Sequence, residues 1–262
     1  MDPIMILPSS ILRQPQLPGM AMATEHNAVG QVALMRDIPI HRVEIHQLVE
    51  HAGLLRAGAL PVGTVEFVRE AMRVAGINEP ESMSYPVELN VLLGRQLDVM
   101  PLDRVRGRKF IKPVTTKIFT GFVWDPSAPD ETYSEHDLEQ LEVTRGLKPE
   151  TMVYVAEPVR FLCEWRVYVQ GGLILGSARY DQDGEDEAPT PDADLVRRAV
   201  DLMSDSKGAP AAYGLDVGVL DTGETVVCEV NDAWALGLYG RAVEARDYVS
   251  MLASRWVQIR GA

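Results

Sequence analysis

Three oxygen-bearing residues in the last quarter of the chain form the pattern with the most chemical content. Asp216 interrupts the apolar run Gly214-Leu215-Asp216-Val217-Gly218-Val219, and Glu229 and Asn231 end the run Val226-Val227-Cys228-Glu229-Val230-Asn231. Residues two apart on a strand share a face, so a tight turn between the two runs would bring all three side chains together. Two carboxylates and an amide are hard oxygen donors of the kind Mg2+ takes, with waters and phosphates completing its octahedron. The alternative is a half-exposed hairpin whose polar face is only solvated.

A second set is cationic. The chain has twenty arginines but five lysines, and three of the lysines are Lys109, Lys112 and Lys117. Lysine is a compact point charge that reaches phosphate oxygens from a strand, although a strand edge can also carry lysines to discourage aggregation. Arg166 alternates with apolar residues in Glu164-Trp165-Arg166-Val167-Tyr168, and Arg179 stands in Ala178-Arg179-Tyr180. Such cations beside carboxylates suited to Mg2+ describe a nucleoside triphosphate site, where they would neutralise charge developing in phosphoryl transfer. Taken singly, each is as readily a surface salt bridge. The Walker-type phosphate loop, the dinucleotide glycine fingerprint, the kinase catalytic loop and the serine nucleophile elbow are all absent from the sequence. His41, His46 and His51 are five apart and do not align on one helix face. With His26 and His136 they read as surface residues, not as a zinc or catalytic set. The run from Trp234 to Gly240 follows the acidic strand directly, and its glycines would let backbone approach an acceptor pocket. An ordinary helix entry with a packed tryptophan is the competing reading.

The elements that must position these residues follow from periodicity and punctuation. Ile4–Leu7 reads as a strand, Ala21–Val29 as a helix closed by Gly30, and Val32–Met35 as a strand. Helical spacing recurs at Val43–Leu54 and Val65–Ala75, the latter capped by Thr64 and stopped by Gly76, with a strand over Leu54–Val62 between them. Lys109–Pro113 and Ile118–Val123 resemble a hairpin, and Asp125–Glu142 reads as a polar loop. Met152–Ala156, Glu164–Val169 and Leu173–Tyr180 read as strands, the last two joined by the Gly171-Gly172 turn. An acidic loop over Asp181–Asp194 leads to a helix capped by Asp192 or Asp194. A final hairpin, Tyr213–Leu220 with Thr225–Val230, precedes a helix over Ala242–Val257. The expected class is α/β plus α+β, with an N-terminal α/β domain over 1–105 and a second domain over 106–262.

Composition bounds the function. With 262 residues, 46% hydrophobic and 24% charged, the chain has material for a sizeable core. A net charge of −13 excludes the broad basic face that sequence-independent nucleic-acid binding needs. No apolar run approaches the roughly 18–20 residues of a membrane span. Met1 to Leu17 lacks the basic start and apolar stretch of a signal peptide, so a cytoplasmic protein is expected. Cys163 and Cys228 lie in strand-like runs and are expected as buried, reduced thiols.

The order of these motifs resembles the ATP-grasp superfamily. Phe110-Ile111-Lys112-Pro113 is similar to the strand carrying that family's phosphate-binding lysine, and Met152–Val159 resembles the strand and interdomain hinge that hold adenine. Glu164–Val169 resembles the next strand, whose glutamate often meets the ribose, and Asp216 with Glu229 and Asn231 matches the magnesium ligands. The run from Val62-Gly63-Thr64 through Tyr85-Pro86 to Lys112 and Lys117 is similar to a phage and bacterial clade thought to include amide-forming ligases. The resemblance implies a small lobe at about 106–157 and a large lobe at about 158–262 clamping ATP and Mg2+. Lys112 and Lys117 would hold phosphates, Glu157, Pro158 and Val159 would line adenine, and Glu164 would meet the ribose. Arg166, Arg179 and Lys117 would serve the transferring phosphoryl group. The implied reaction is ATP-dependent ligation of a small-molecule or peptide carboxylate to an amine through an acyl phosphate, with a homodimer as a possible assembly. Phosphotransfer on the same scaffold and a non-enzymatic nucleotide-binding module are the alternatives. The family's glycine-rich phosphate lid has no counterpart in the glycine-free Val114-Thr115-Thr116.

Overall fold

The computed structural model describes residues 4–8, 24–115, 118–180, 188–240 and 242–261. Its first layer is a three-stranded parallel sheet in the order β2-β1-β3, built from β1 (Met5–Pro8), β2 (Ile40–Val43) and the short β3 (Leu60–Pro61). Met5, Ile6 and Leu7 are all fully buried, as expected of an unbroken apolar run covered on both faces of a parallel sheet. Around it lie α1 (Thr24–Arg36), α2 (Ala52–Ala57), α3 (Val65–Ala75) and, from the other end of the chain, α6 (Ala245–Arg260). Tyr248, Leu252 and Trp256 of α6 share one core with Met5–Leu7 and with Val29 and Val32 of α1.

Two expectations for this layer change. The helix expected to close at Gly30, with a strand after it, is one continuous helix, α1, within the described residues. Ala28, Val29, Val32 and Ala33 are buried while Leu34 and Met35 are exposed, which is a helical stripe and not a strand alternation. Among the described residues Gly30 has no neighbouring atom near its Cβ position, so its cost is the roughly 1 kcal/mol of helix propensity, which burial of the stripe outweighs. The helix expected over Val43–Leu54 is split into the end of β2, a 3-10 turn at Ile45–His51 and α2. The strand expected over Leu54–Val62 shrinks to the two residues of β3. Helix α3 has the expected bounds, with the Phe67 N–H donating to Thr64 Oγ1 at 3.3 Å.

The second sheet is antiparallel in the order β4-β7-β5-β6, from β4 (Leu97–Pro101), β5 (Lys109–Pro113), β6 (Phe122–Trp124) and β7 (Met152–Ala156). Strand β4 lies ahead of the division expected at residue 105, yet it pairs with β7 along its length. The polar stretch read as a loop contains α4 (Glu135–Arg145), capped by Ser134, whose side chain accepts the Asp137 N–H at 3.1 Å. Leu141 and Thr144 are its buried residues, too few for the apolar periodicity that marks a helix in sequence.

The third sheet is antiparallel in the order β11-β10-β8-β9, from β8 (Phe161–Gln170), β9 (Leu173–Arg179), β10 (Ala212–Leu220) and β11 (Thr225–Asp232). The β8–β9 turn places Gly171 and Gly172 at φ 55° and 76°, the left-handed pair a two-residue hairpin turn requires. Helix α5 (Ala193–Ser204) is capped by Asp192, and its apolar stripe packs with Leu89, Leu92 and Leu93 against one face of this sheet. Cys163 and Cys228 are buried free thiols, as expected.

Candidate active site

Strand pairing sorts the third sheet into two chemically different faces. Glu164, Arg166 and Tyr168 of β8 stand opposite Gly218, Asp216 and Gly214 of β10, and Asp216 and Gly214 stand opposite Glu229 and Asn231 of β11. These residues share a face. Trp165, Val167, Val169, Leu215, Val217, Val227 and Val230 form the other, packed in the core beneath α5. An apolar face buried on α5 therefore forces the polar alternates toward the second sheet.

The polar face is held by a dry hydrogen-bonded set. Arg166 is 7% exposed and Asp216 0%; Arg166 Nε donates to Asp216 Oδ1 at 2.8 Å and Nη2 to Oδ2 at 2.7 Å. Asn231 Nδ2 donates to Asp216 Oδ2 at 2.8 Å. The guanidinium carbon of Arg166 also lies 5.2 Å and 5.1 Å from the ring centres of Tyr180 and Tyr239. Burial lowers the pKa of Arg166, but the hydrogen bonds and charge of Asp216 outweigh it and hold the guanidinium above its ordinary range. Gly214 makes this arrangement possible, because a Cβ there would sit 2.8 Å from Leu236 Cδ1 and 3.3 Å from Arg166 Cδ.

A cleft of about 370 Å³ lies between the second and third sheets. Lys112 and Phe110 reach it from β5, Phe161 and Glu164 from β8, Glu229 and Asn231 from β11, with Tyr85, Arg95 and Tyr180 beside them. Lys112 Nζ and Glu229 Oε2 form an ion pair across it, joining the two sheets. Tyr180 donates to Glu164 Oε2 at 2.6 Å, and burial, with the charges of Asp216 and Glu164, keeps that phenol protonated far above its ordinary pKa. The Val230 N–H donates to Ser84 O at 2.9 Å, which ties the segment carrying Tyr85 to the edge strand β11. At the end of β11, Asp232 accepts two bonds from Arg255 of α6, at 2.8 Å and 2.6 Å, so the site is anchored to the first layer.

The structure brings Lys112, Glu164, Glu229 and Asn231 to the cleft, with Arg166 and Asp216 directly beneath. Asp216, expected as a third metal ligand, does not line the cleft, and both its oxygens accept hydrogen bonds from Arg166 and Asn231. Arg179, expected beside Arg166, pairs in register with Trp165 and so falls on the face away from the cleft; Tyr180, one residue on, takes the position facing it. Glu157, Pro158 and Val159 form the connection from β7 to β8 but are not among the cleft residues, and the Glu157 carboxylate pairs with Lys109. Lys117 lies outside the described residues. Sequence reasoning missed Tyr180, because plain alternation across the Gly171-Gly172 turn sets Arg179 opposite Glu164, whereas a register shift between Tyr168 and Val169 moves the pairing by one residue and brings Tyr180 there. It also missed Arg95, whose guanidinium lies 4.8 Å from the Phe110 ring centre and 5.9 Å from that of Phe161; no local pattern marks it. Trp234 is both packed and site-facing: it is 9% exposed and lines the cavities beyond Asn231. His26, expected on the surface, is 8% exposed, because it falls on the buried stripe of α1.

A family model for the ATP-grasp domain, clade family 2, matches residues 92–251 of the 262. The chain belongs to the ATP-grasp family. No curated relative matches the sequence. Among solved structures, this ATP-grasp chain is similar to the D-cycloserine synthetase DcsG, with 15% identity, TM-score 0.57, and coverage of 97% of this chain and 99% of that one. It is similar to the ATP-grasp ligase PsnB complexed with its minimal precursor, with 13% identity, TM-score 0.53, and coverage of 97% and 100%. The D-alanine–D-alanine ligase of Bacillus anthracis complexed with ATP gives 14% identity, TM-score 0.51, and coverage of 97% and 94%. At these identities the likeness is one of fold, and it extends over the N-terminal layer as well as the two antiparallel sheets.

Proposed function

We propose that this ATP-grasp protein is an ATP-dependent carboxylate–amine ligase. The observation that carries the reading is the meeting of Lys112 from one sheet with Glu229 and Asn231 from the other across a single cleft. The donor set fits Mg2+ and a triphosphate. Glu229 and Asn231 offer one carboxylate and one amide oxygen at the cleft, and a site with few protein donors suits an ion that keeps phosphates and waters as ligands. Because Asn231 Nδ2 is spent on Asp216, its Oδ1 is the atom left for a cation. Asp216 thus acts through Asn231, and Arg166 holds Asp216 in place. Lys112, and by resemblance Lys117, would meet phosphate oxygens; Glu164, steadied by Tyr180, would accept a ribose hydroxyl, and the 157–159 connection would border the base. Bound Mg2+ supplies neutralisation of the charge that builds on the phosphates.

In this reading the substrate carboxylate oxygen attacks the γ-phosphorus and ADP leaves, giving an acyl phosphate. The amine nitrogen then attacks the acyl carbon, phosphate leaves and the nitrogen loses a proton. The synthetase and ligases of like fold support this chemistry over simple nucleotide binding. The test is product analysis with a panel of acids and amines. ADP and phosphate should appear together with an amide when both partners are present, and hydroxylamine should trap a hydroxamate when acid alone is supplied. Transfer of phosphate to an alcohol instead would overturn the reading. Among the described residues no helix is long and apolar enough to cross a membrane.

A further inference from the structure

Beyond the nucleotide cleft, two further cavities lead toward the N-terminal layer. One of about 250 Å³ shares Ser84, Glu229 and Asn231 with the cleft. The next, of about 460 Å³, shares Val65 and the Trp234–Gly237 segment with it and ends at Gly63, Thr64 and His26. It sits outside the C-terminal end of β3, the edge at which open parallel sheets receive ligands. The Trp234–Gly237 wall is firmly held: the Tyr168 hydroxyl donates to Gly237 O at 3.1 Å, Tyr248 donates to Leu236 O, and Asp232 accepts the Trp234 N–H at 3.2 Å.

Two independent observations on this outer cavity point to a ligand. The His26 side chain is more than nine-tenths buried and lines the cavity, yet among the described residues neither ring nitrogen has a hydrogen-bond partner. Leaving a buried polar group unpaired costs about 1–3 kcal/mol, which native structures rarely leave uncompensated. The charged residues on its wall are Glu25 and Glu66, with no basic residue among the described lining. The inner cavity adds Glu79, Glu81, Glu229 and Asp232 against Arg166, but Glu79, Glu229, Asp232 and Arg166 are each held in an ion pair, with Arg69, Lys112, Arg255 and Asp216. The bias therefore lies in the outer cavity, whose lining favours a cationic amine over a carboxylate. Burial lowers the His26 pKa below its ordinary value, Glu25 opposing and Arg42 adding to the effect. The imidazole is therefore neutral at pH 7 and offers a lone pair to an N–H donor.

We propose that the outer cavity receives the amine substrate and that His26, with Glu25 beside it, recognises its nitrogen head group, which binds as the ammonium and releases one proton to solvent before its lone pair attacks the acyl carbon. The assignment of this ligand as a reactant rests on the ligase reading; the binding itself does not. The test uses long-range 1H–15N spectra of the five histidine side chains, titrated with ethylammonium, glycinamide and, as the carboxylate counterpart, N-acetylglycine. Saturable movement of the His26 ring signals by an amine and not by N-acetylglycine is the expected result. His26→Leu should weaken amine affinity about tenfold, the loss of one hydrogen bond, with ATP affinity unchanged, and His26→Gln should restore most of it. No saturable shift of His26 with either amine, a shift with N-acetylglycine instead, or a His26→Leu protein of unchanged melting temperature and unchanged amine affinity would each overturn the proposal. Failure to bind ATP or to form a hydroxamate would sink the ligase reading while leaving a measured amine site standing.

Discussion

At the scale of single residues, Asp216 and Glu229 are both carboxylates on one sheet face, yet they predict opposite phenotypes. Asp216 is fully enclosed with Arg166, and removing one partner of a buried ion pair strands the other charge. Asp216→Asn should therefore lower unfolding free energy by roughly 3–5 kcal/mol in a urea titration. Glu229 is partly exposed at the cleft and pairs with the similarly exposed Lys112, where solvent weakens the pair and folding depends on it little. Glu229→Gln should keep the urea midpoint near wild type. It should cut turnover at least ~100-fold, through loss of a metal ligand worth several kcal/mol in the transition state. A Glu229→Gln enzyme with normal turnover and unaltered Mg2+ dependence would remove Glu229 from the metal site. Lys112→Ala should weaken ATP binding by about 1.5–3 kcal/mol in calorimetry, the range for a hydrogen bond to a charged group.

At the scale of elements, helix caps separate stability from function. Helix α4 packs on the second sheet through few residues, so its cap carries much of its local definition. Ser134→Ala should cost about 1 kcal/mol by thermal unfolding and leave ATP affinity unchanged. A larger loss, or any change in ATP affinity, would mean that α4 braces the cleft and does not merely cover the sheet. The central strand β10 shows the reverse economy. All nine of its residues are buried, and it supplies one polar side chain, Asp216, to the face that Arg166 and Asn231 close over.

At the scale of the whole molecule, the family match begins at residue 92, but the fold does not divide there. Helix α6 follows the last strand of the site and packs into the first layer, where Trp256 and Tyr248 are almost completely buried beside α1 and β1. Deleting residues 1–78 would expose that face of α6. The fragment 79–262 should lose cooperative unfolding in circular dichroism and bind a hydrophobic dye. A fragment that melts cooperatively and binds ATP with full affinity would show the two antiparallel sheets to be self-sufficient.

What the sequence determined by itself is whatever depends on local chain geometry. The period of two along Glu164–Val169 and Val226–Asn231, and the glycine pair between β8 and β9, follow from short-range sterics. They place Glu164 with Arg166 on one face of β8 and Glu229 with Asn231 on one face of β11, while the pairing of both strands with β10 decides that these faces and that of Asp216 coincide. The same period misassigned Arg179 by one residue, because a register shift between Tyr168 and Val169 turns Arg179 to the far face and Tyr180 to the cleft. What the tertiary structure decided is which faces meet and how dry each place becomes. Lys112 and Glu229 are 117 residues apart, and their pairing depends on one sheet folding over another. The enclosure of Asp216 with Arg166, the burial of His26 in an unbroken helix and the approach of Arg95 to two rings have the same origin. Solvent exclusion is a property of packed surfaces brought together from distant segments, and spacing along the chain does not encode it.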